Sequence, residues 1–284
     1  MAGNNPVFQR IDKQIDQERY AGFGQPTDAP PGYPPPGTAY PPVSDQVLQD
    51  MYSRPSAGPV QTGRVTFDDV IMKTLGLFAV LLVAAGASWV LTAGSQTLTL
   101  SLLFGGMLGG LILGFVIAFM KKVSVPLIVG YALLEGLFVG ALSQLMQRAY
   151  PGIVATAIIA TLATFGGMFI GYKTGLVRVT ERSRRVFRFA LFGYLLFGLV
   201  NVLALLMGWT SGWGFGGSGL IGIGISVLGV GLASYSLAVD FDSIDHAVRA
   251  GAPEKYSWLL AHGLIVSVVW LYVEILRLLA RLRD

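Results

Sequence analysis

Residues 98–120 read LTLSLLFGGMLGGLILGFVIAFM, an apolar run without a single charged side chain. A transmembrane helix needs about 20 consecutive apolar residues to cross the hydrocarbon core of a bilayer. The run therefore predicts one complete membrane span. Lys121 and Lys122 follow it directly and mark its end at a membrane surface.

Six further apolar runs of similar length predict six more spans. They occupy residues 74–93, 125–146, 153–172, 189–208, 219–239 and 258–282. The pattern at 219–239 leaves open a helical continuation beyond Asp240. Together the seven runs predict an all-α polytopic membrane protein, a bundle of seven transmembrane helices over residues 66–284 that is embedded in a lipid bilayer.

The composition agrees with a membrane protein and excludes several kinds of site. Only 13% of the residues are charged and the mean hydropathy is +0.62, whereas soluble domains carry about 25% charged residues. The chain has no cysteine, which excludes disulfides, thiolate metal sites and cysteine nucleophiles. The net charge of +4 comes from basic loops, as membrane proteins show, so no nucleic-acid binding is expected.

Residues 1–65 form a separate, proline-rich segment that we predict to be a disordered cytoplasmic tail. Residues 30–42 read PPGYPPPGTAYPP, a composition that favours extended polyproline conformations and cannot bury a core. The segment lacks the apolar stretch of a secretory signal peptide. It is interpreted either as a soluble spacer, which we favour, or as a docking segment for a proline-recognising partner.

Basic residues fall mainly in alternate loops, which predicts the orientation. Lys121 and Lys122 follow the second run, and six Lys and Arg side chains lie between residues 173 and 188, whereas the loops on the other side hold only Arg148. The positive-inside rule then places the tail in the cytoplasm of a multi-pass protein of the cell membrane. Arg277, together with the later arginines 281 and 283, disagrees, because these cations would lie at the outer end of the seventh run.

Glycine is abundant inside two of the spans. Close helix packing is predicted there, because small residues let helix backbones approach each other in lipid; sliding of the helices during gating is the alternative interpretation. The glycines concerned are Gly105, Gly106, Gly109, Gly110 and Gly114 in the second run, and Gly219, Gly222, Gly224, Gly229 and Gly231 in the sixth.

Ionisable residues inside a span are costly, so each is a candidate functional residue. Glu135 lies in the middle of the third run without a charged neighbour within one turn. Glu274 lies in the seventh run, three residues before Arg277 and therefore on the same helix face. A protonated Glu135 bonded to a neighbouring helix, and a local Glu274–Arg277 ion pair, are the structural alternatives.

Asp240 opens an acidic segment at the end of the sixth run, with Asp242 and Asp245 further out as accessory candidates. Two carboxyl groups that are held close in a low-dielectric site cannot both ionise cheaply, so such a pair shares one proton. Asp240 and Glu274 on neighbouring spans could form a pH-dependent latch, held when protonated and repelled when ionised. Their oxygens also suit Ca²⁺, although no metal site is firmly predicted.

Two short motifs resemble the Bax inhibitor-like membrane proteins, the transmembrane Bax inhibitor motif family. The motifs are DF at 240–241 and LYVE at 271–274, and the seven-span plan with a proline-bearing tail is also similar to a bacterial, actinobacterial-type member. The resemblance covers about residues 65–284. It implies a pH-sensitive Ca²⁺ leak with Asp240 and Glu274 as the carboxylate pair, where the second acid is expected to be Asp. Glu135 is a candidate third member of the polar cluster in this sequence. Ca²⁺ is then the permeating ion, and no cofactor is expected.

Two other classes of function compete with a leak. The GGSG sequence at 216–219 is similar to the motif of intramembrane serine proteases, with His262 as the base, but Ser218 and His262 are predicted at opposite membrane faces. A nucleophile must lie within hydrogen-bond reach of its base, so we expect no enzyme and no catalytic residue. The remaining alternative is a non-conducting regulator that binds a membrane protease or another membrane protein.

Overall fold

The structure is a computed structural model that describes residues 63–210 and 212–284. Of these residues, 83% are helical and none forms a strand, and seven helices are long and apolar enough to cross a membrane. The prediction of an all-α bundle of seven transmembrane helices is therefore confirmed. The predicted disorder of the proline-rich tail falls on residues outside the described ranges.

Each predicted span corresponds to one helix. The helices are α1 (Phe67–Thr92), α2 (Gln96–Phe119), α3 (Val125–Ala149), α4 (Ile153–Lys173), α5 (Glu181–Leu206), α6 (Leu220–Arg249) and α7 (Ser257–Arg281). The helical continuation beyond Asp240 is present, because α6 runs to Arg249 without a break. Asp240 is thus a residue of the helix and not of a loop.

Local signals in the sequence begin several of these helices. The Thr66 side chain accepts a hydrogen bond from the Asp69 amide at 3.1 Å and caps α1. Thr180 and Ser183 form a reciprocal capping box at the start of α5. Such caps satisfy amide groups that have no partner within the helix. Gly152, with a φ of 82°, makes the tight turn that lets α4 follow α3 directly.

The helix α7 lies at the centre of the bundle and α5 at its edge. In the apolar membrane-spanning stretch of α7, 67% of the residues are buried, whereas in that of α5 only 6% are buried. The central helix packs against α1, α3, α4 and α6, whereas α5 packs mainly on α6 and the turn at Gly214–Gly216. A residue on α7 is therefore shielded from lipid on most sides, which suits that helix for carrying polar groups.

Glycine packing brings α1, α2 and α3 together. A Cβ at Gly140 would overlap the Ala85 carbonyl oxygen of α1, and one at Gly136 would overlap that of Leu81. A Cβ at Gly106 would lie 2.7 Å from the Phe138 amide nitrogen. The glycine prediction is thus confirmed at Gly106.

Other predicted packing glycines do not contact a neighbour. A Cβ added at these positions would meet no atom within 4 Å among the described residues: Gly105, Gly219, Gly224 and Gly231.

The bundle has two ends, which we call the tail end, where α1 begins, and the far end, where α7 finishes. At the tail end the Val65 amide donates to the Ala252 carbonyl at 2.8 Å. At the far end the Arg283 side chain donates to the Pro151 carbonyl at 2.9 Å. The helix α7 therefore traverses the whole bundle, and the basic side chains at its end find acceptors there.

Replacing Gly140 with Ala tests the contact between α1 and α3. The added methyl group would collide with backbone, which cannot move aside cheaply, so we expect a loss of about 1–3 kcal/mol of stability. The measurement is thermal unfolding in a fixed detergent. The control is Gly166→Ala in α4, where a Cβ meets open space, and an equal effect of the two substitutions would contradict the packing argument.

Acid pH is expected to loosen the far end. The Asp284 carboxylate accepts from the Tyr150 hydroxyl and from the Trp213 indole, which lowers the pKa of Asp284. A lowered folded-state pKa gives stability that is present above the ordinary Asp value near 4 and is lost as pH falls below it. The fluorescence of Trp213 should therefore change in that range, and Asp284→Asn should remove the change.

Candidate functional site

A cavity of about 810 Å³ lies inside the bundle between α2, α3, α6 and α7, with Leu195 of α5 at its edge. Most of its lining is apolar. The polar or ionisable side chains that line it are Tyr131, Glu135, Asp240, Ser243, Tyr256, His262, Ser267 and Trp270. A concave, mostly apolar site with a few convergent polar groups is the usual form of a ligand or ion site.

Asp240 enters this cavity from α6. Its carboxylate accepts a hydrogen bond from the Ser267 hydroxyl of α7. Gly263, one turn earlier on α7, faces the carboxyl group, since a Cβ there would lie in ordinary van der Waals contact with Oδ1, at 3.6 Å. The other oxygen, Oδ2, is buried and has no hydrogen-bond partner among the described residues. The site therefore offers a free acceptor to a ligand, a proton or a cation.

Glu135 enters the same cavity from α3. The Tyr131 hydroxyl, one turn earlier on the same helix, donates to its carboxylate. Gly110 of α2 leaves the space for the other side of the carboxyl group, because a Cβ there would lie 2.9 Å from Oε2. The structure thus brings Glu135 and Asp240, two candidates from separate helices, to one cavity.

His262 forms part of the wall between these two acids. Its side chain is buried, and Nδ1 has no hydrogen-bond partner within the described ranges. The ring meets Tyr131 edge to face, with 4.5 Å between the ring centroids. From the sequence, His262 was a candidate only as the base of a protease. In the structure it lies beside Tyr131 and lines the cavity.

Glu274 lies closer to the far end and has its own set of partners. The side chain is buried, with a residue exposure of 3%. Its carboxylate accepts from the Trp270 indole at 3.1 Å and from the Arg277 guanidinium. Arg277 also donates to the Tyr194 hydroxyl of α5. The ion pair considered from the i,i+3 spacing is therefore present, and it connects α7 to the peripheral α5.

Glu274 also packs against α6 at Gly229, where a Cβ would overlap its Oε2. Gly229 precedes Asp240 by eleven residues, or about 16 Å along the helix at 1.5 Å per residue. Glu274 therefore lies at a different level from Asp240, which contacts Ser267. Trp270 lies between the two levels, because it lines the cavity and also donates to Glu274.

The described residues show no direct contact between the carboxyl groups of Asp240 and Glu274, which lie at two levels of the bundle, so the carboxylate pair stays a prediction. The sequence could place both acids at the contact between α6 and α7, but not at the same depth. Each acid has satisfied part of its hydrogen-bonding capacity elsewhere, Asp240 with Ser267 and Glu274 with Arg277. A Ca²⁺ ion held by both carboxylates likewise stays a prediction.

The accessory candidates Asp242 and Asp245 lie nearer the tail end and do not line the cavity. Asp242 pairs with Arg184 of α5. Asp245 pairs with Arg249 of the same helix at 2.9 Å, in a pair whose arginine is well exposed. Both acids therefore neutralise cations near the tail end of the bundle.

Metal-site geometry is absent from the part of the chain that the structure describes. No group of three or more His, Asp or Glu side chains there could hold a metal ion. Ser218 precedes α6 at the far end, whereas His262 lies near the tail-end start of α7, so the protease hypothesis gains no support from their placement.

Ser267, Trp270 and Tyr194 were not predicted as partners of the acids. Two of them could have been found, because Gly263, Ser267, Trp270 and Glu274 recur at helical spacing on one face of α7. Tyr194 lies on another helix, and only the packing of α5 brings its hydroxyl to Arg277.

Comparison with known proteins gives one match. A family model described as Bax inhibitor 1 like matches residues 5–284, and so extends beyond residues 65–284 into the proline-rich segment. No curated protein matches the chain.

Arg277→Met is expected to destabilise the protein by about 3 kcal/mol, because it leaves a buried carboxylate without its cation. The additional substitution Glu274→Gln should recover most of the loss. The measurement is thermal unfolding in a fixed detergent.

The matched control for this prediction is Arg249→Met, which removes the arginine of the more exposed pair with Asp245. We expect an effect of at most about 0.5 kcal/mol there. If Arg277→Met is no more destabilising than Arg249→Met, the Glu274 pair does not hold α5 to α7.

Proposed function

This chain belongs to the Bax inhibitor 1 like family, and from that premise we propose that it is a pH-sensitive Ca²⁺ leak of the cell membrane, with its N-terminal tail in the cytoplasm. Asp240 and Glu135 act as the acids that receive the ion, and Glu274 acts at a second level. The observation that supports this most directly is that carboxyl groups from α3 and α6 line one cavity inside a membrane-spanning bundle.

A carboxyl group within the membrane-spanning part of the bundle has a high free-energy cost unless it binds a ligand or is paired with another protein group. An intramembrane carboxylate costs several kcal/mol when it is neither paired nor hydrated. Asp240 keeps a buried oxygen without a partner among the described residues, so its hydrogen bond with Ser267 compensates only part of that cost. Ca²⁺ binds hard oxygen ligands, and the two cavity acids supply such oxygens.

The region around Glu274 is proposed as the barrier of the closed state. Trp270, Arg277 and Tyr194 surround its carboxylate. The Arg277 cation there would repel Ca²⁺ that leaves the cavity towards the far end. Opening then requires Arg277 to move, together with α5, which few apolar contacts hold to the bundle.

The pH dependence follows from the charge of the cavity acids. Ionised Asp240 and Glu135 attract a divalent cation, whereas the protonated forms do not. Flux should therefore rise with pH as these groups lose their protons and fall when they are protonated.

Flux of Ca²⁺ into liposomes loaded with a Ca²⁺-sensitive dye tests this proposal. Asp240→Asn should lower the flux about tenfold, the factor that corresponds to about 1.4 kcal/mol, and should weaken its pH dependence, because the amide cannot ionise. Glu274→Gln should also lower the flux, because the Arg277 charge is then left uncompensated. Each measurement is made across a series of pH values.

Matched controls use exposed acids at the tail end. Asp68→Asn and Glu181→Gln make the same chemical changes at solvent-facing positions of α1 and α5 and should leave the flux unchanged. Flux that survives Asp240→Asn and Glu274→Gln at the wild-type level would reject the proposed leak mechanism.

A non-conducting regulator that binds a membrane protease or another membrane protein is the second candidate. The exposed apolar face of α5, in which only Ala204 is buried among the described residues, favours it, because a partner helix could pack there. The liposome assay separates the two functions. Absent flux from folded protein, together with a membrane protein that co-purifies with it, would favour the regulator.

A further inference from the structure

We propose that the cavity binds a cationic amphiphile, an organic ammonium group on an apolar body, which enters sideways from the bilayer between α2 and α5. This inference goes beyond the leak, because binding of such a molecule requires no conduction. It rests on the position of the cavity mouth, the chemistry of the walls and the unpartnered polar atoms inside.

The mouth of the cavity lies where two helices fail to meet. The helix α2 packs mainly on α3, and α5 packs on α6, so no extensive contact joins α2 to α5. Leu111 and Phe115 of α2 and Leu195 of α5 line the cavity and remain 53%, 58% and 60% exposed. These apolar side chains face the bilayer at membrane depth. A ligand that is dissolved in lipid can therefore reach the cavity without crossing water.

The walls suit an apolar body of moderate size. The volume of about 810 Å³ falls in the range of about 300–1,000 Å³ that small-molecule sites occupy. Aromatic rings line it from three helices, including Phe115, Tyr131, Phe138 and Trp270. Aromatic faces attract ammonium groups as well as apolar surface.

The inner polar groups select a cation. Glu135 and Asp240 both line the cavity, and no Lys or Arg side chain is among its lining residues. Asp240 Oδ2 and His262 Nδ1 are buried without hydrogen-bond partners in the described part of the chain. An ammonium group in this cavity would share it with two acidic side chains and would compensate the charge of an ionised Asp240.

Net charge distinguishes this ligand from a zwitterionic phospholipid. A phosphate attached close to the amine would meet the same two carboxyl groups and be repelled by them. The mainly apolar walls also give an organic body contacts that a hydrated metal ion cannot make. The favoured occupant therefore carries positive charge at one end and no anion.

Quenching of tryptophan fluorescence by a brominated ligand tests the proposal. The full chain is placed in phosphatidylcholine nanodiscs and titrated with bromododecyltrimethylammonium, whose bromine quenches a nearby indole such as Trp270. We expect saturable quenching by this cation and an at least tenfold weaker affinity for bromododecanol, its neutral analogue. Quenching that never saturates, or equal affinity for the alcohol, would overturn the proposal.

Paired substitutions assign the site. The double variant Glu135→Gln, Asp240→Asn should weaken binding of the cation at least tenfold, whereas Asp68→Asn, Glu181→Gln makes the same change in net charge at the surface and should not. Unchanged binding in the first variant would refute the proposed site. Equally tight, saturable quenching by a brominated phosphatidylethanolamine would show that the occupant is a lipid and would refute the requirement for a net cation.

A steric variant keeps the test decisive if the double variant does not fold. Gly114 lines the cavity beside Tyr131, where an added Cβ would lie 3.4 Å from the ring. Gly114→Leu fills the cavity and keeps both acids, so it should also weaken binding at least tenfold. Wild-type affinity in a folded Gly114→Leu protein would place the ligand outside the cavity. Ca²⁺ flux is not part of this assay, so its result is independent of the leak.

Discussion

Inside a bilayer, a polar group has no water to bond with, and the central position of α7 determines how this protein meets that constraint. Because α7 is enclosed by α1, α3, α4 and α6, Glu274 and Arg281 can be buried there with protein partners. Glu274 accepts from Trp270 and Arg277, and Arg281 donates to the Gly222 carbonyl and to Ser226 of α6. The same polar contacts hold α6 and α7 in register.

Two levels of acidic chemistry follow from this register. The level of Asp240 contains a cavity with unpartnered polar atoms, while the level of Glu274 is filled by an arginine, an indole and a tyrosine hydroxyl. The level of Asp240 can therefore receive a ligand, whereas the polar groups at the level of Glu274 already have hydrogen-bond partners in the protein. Since Tyr194 belongs to α5, the satisfied level also depends on the helix that packs least against the bundle.

The candidate site was only partly accessible to sequence reasoning, and the reason lies in particular residues. Glu135, Asp240 and Glu274 were found because an acid inside an apolar run is conspicuous. Their partners were harder to find, because serine, tyrosine and tryptophan are ordinary residues in a membrane helix, and only packing shows which of them turn inward. The relative depth of Asp240 and Glu274 could not be read from the sequence, because helical spacing gives the face of a residue but not the offset between two antiparallel helices.

The amino-acid sequence by itself determined the number of helices, their bounds to within a few residues in most cases, and the acids that lie at membrane depth. These features depend on the length of each apolar run and on the spacing of residues within it, and both can be read from a single segment of the sequence. Tertiary structure alone decided that Glu135 and Asp240 share a cavity, that Tyr194 joins the local pair of Glu274 and Arg277, and that a gap remains between α2 and α5. Those features depend on the relative depth and rotation of separate helices, which are set by contacts such as Gly140 on Ala85 between residues far apart in the chain.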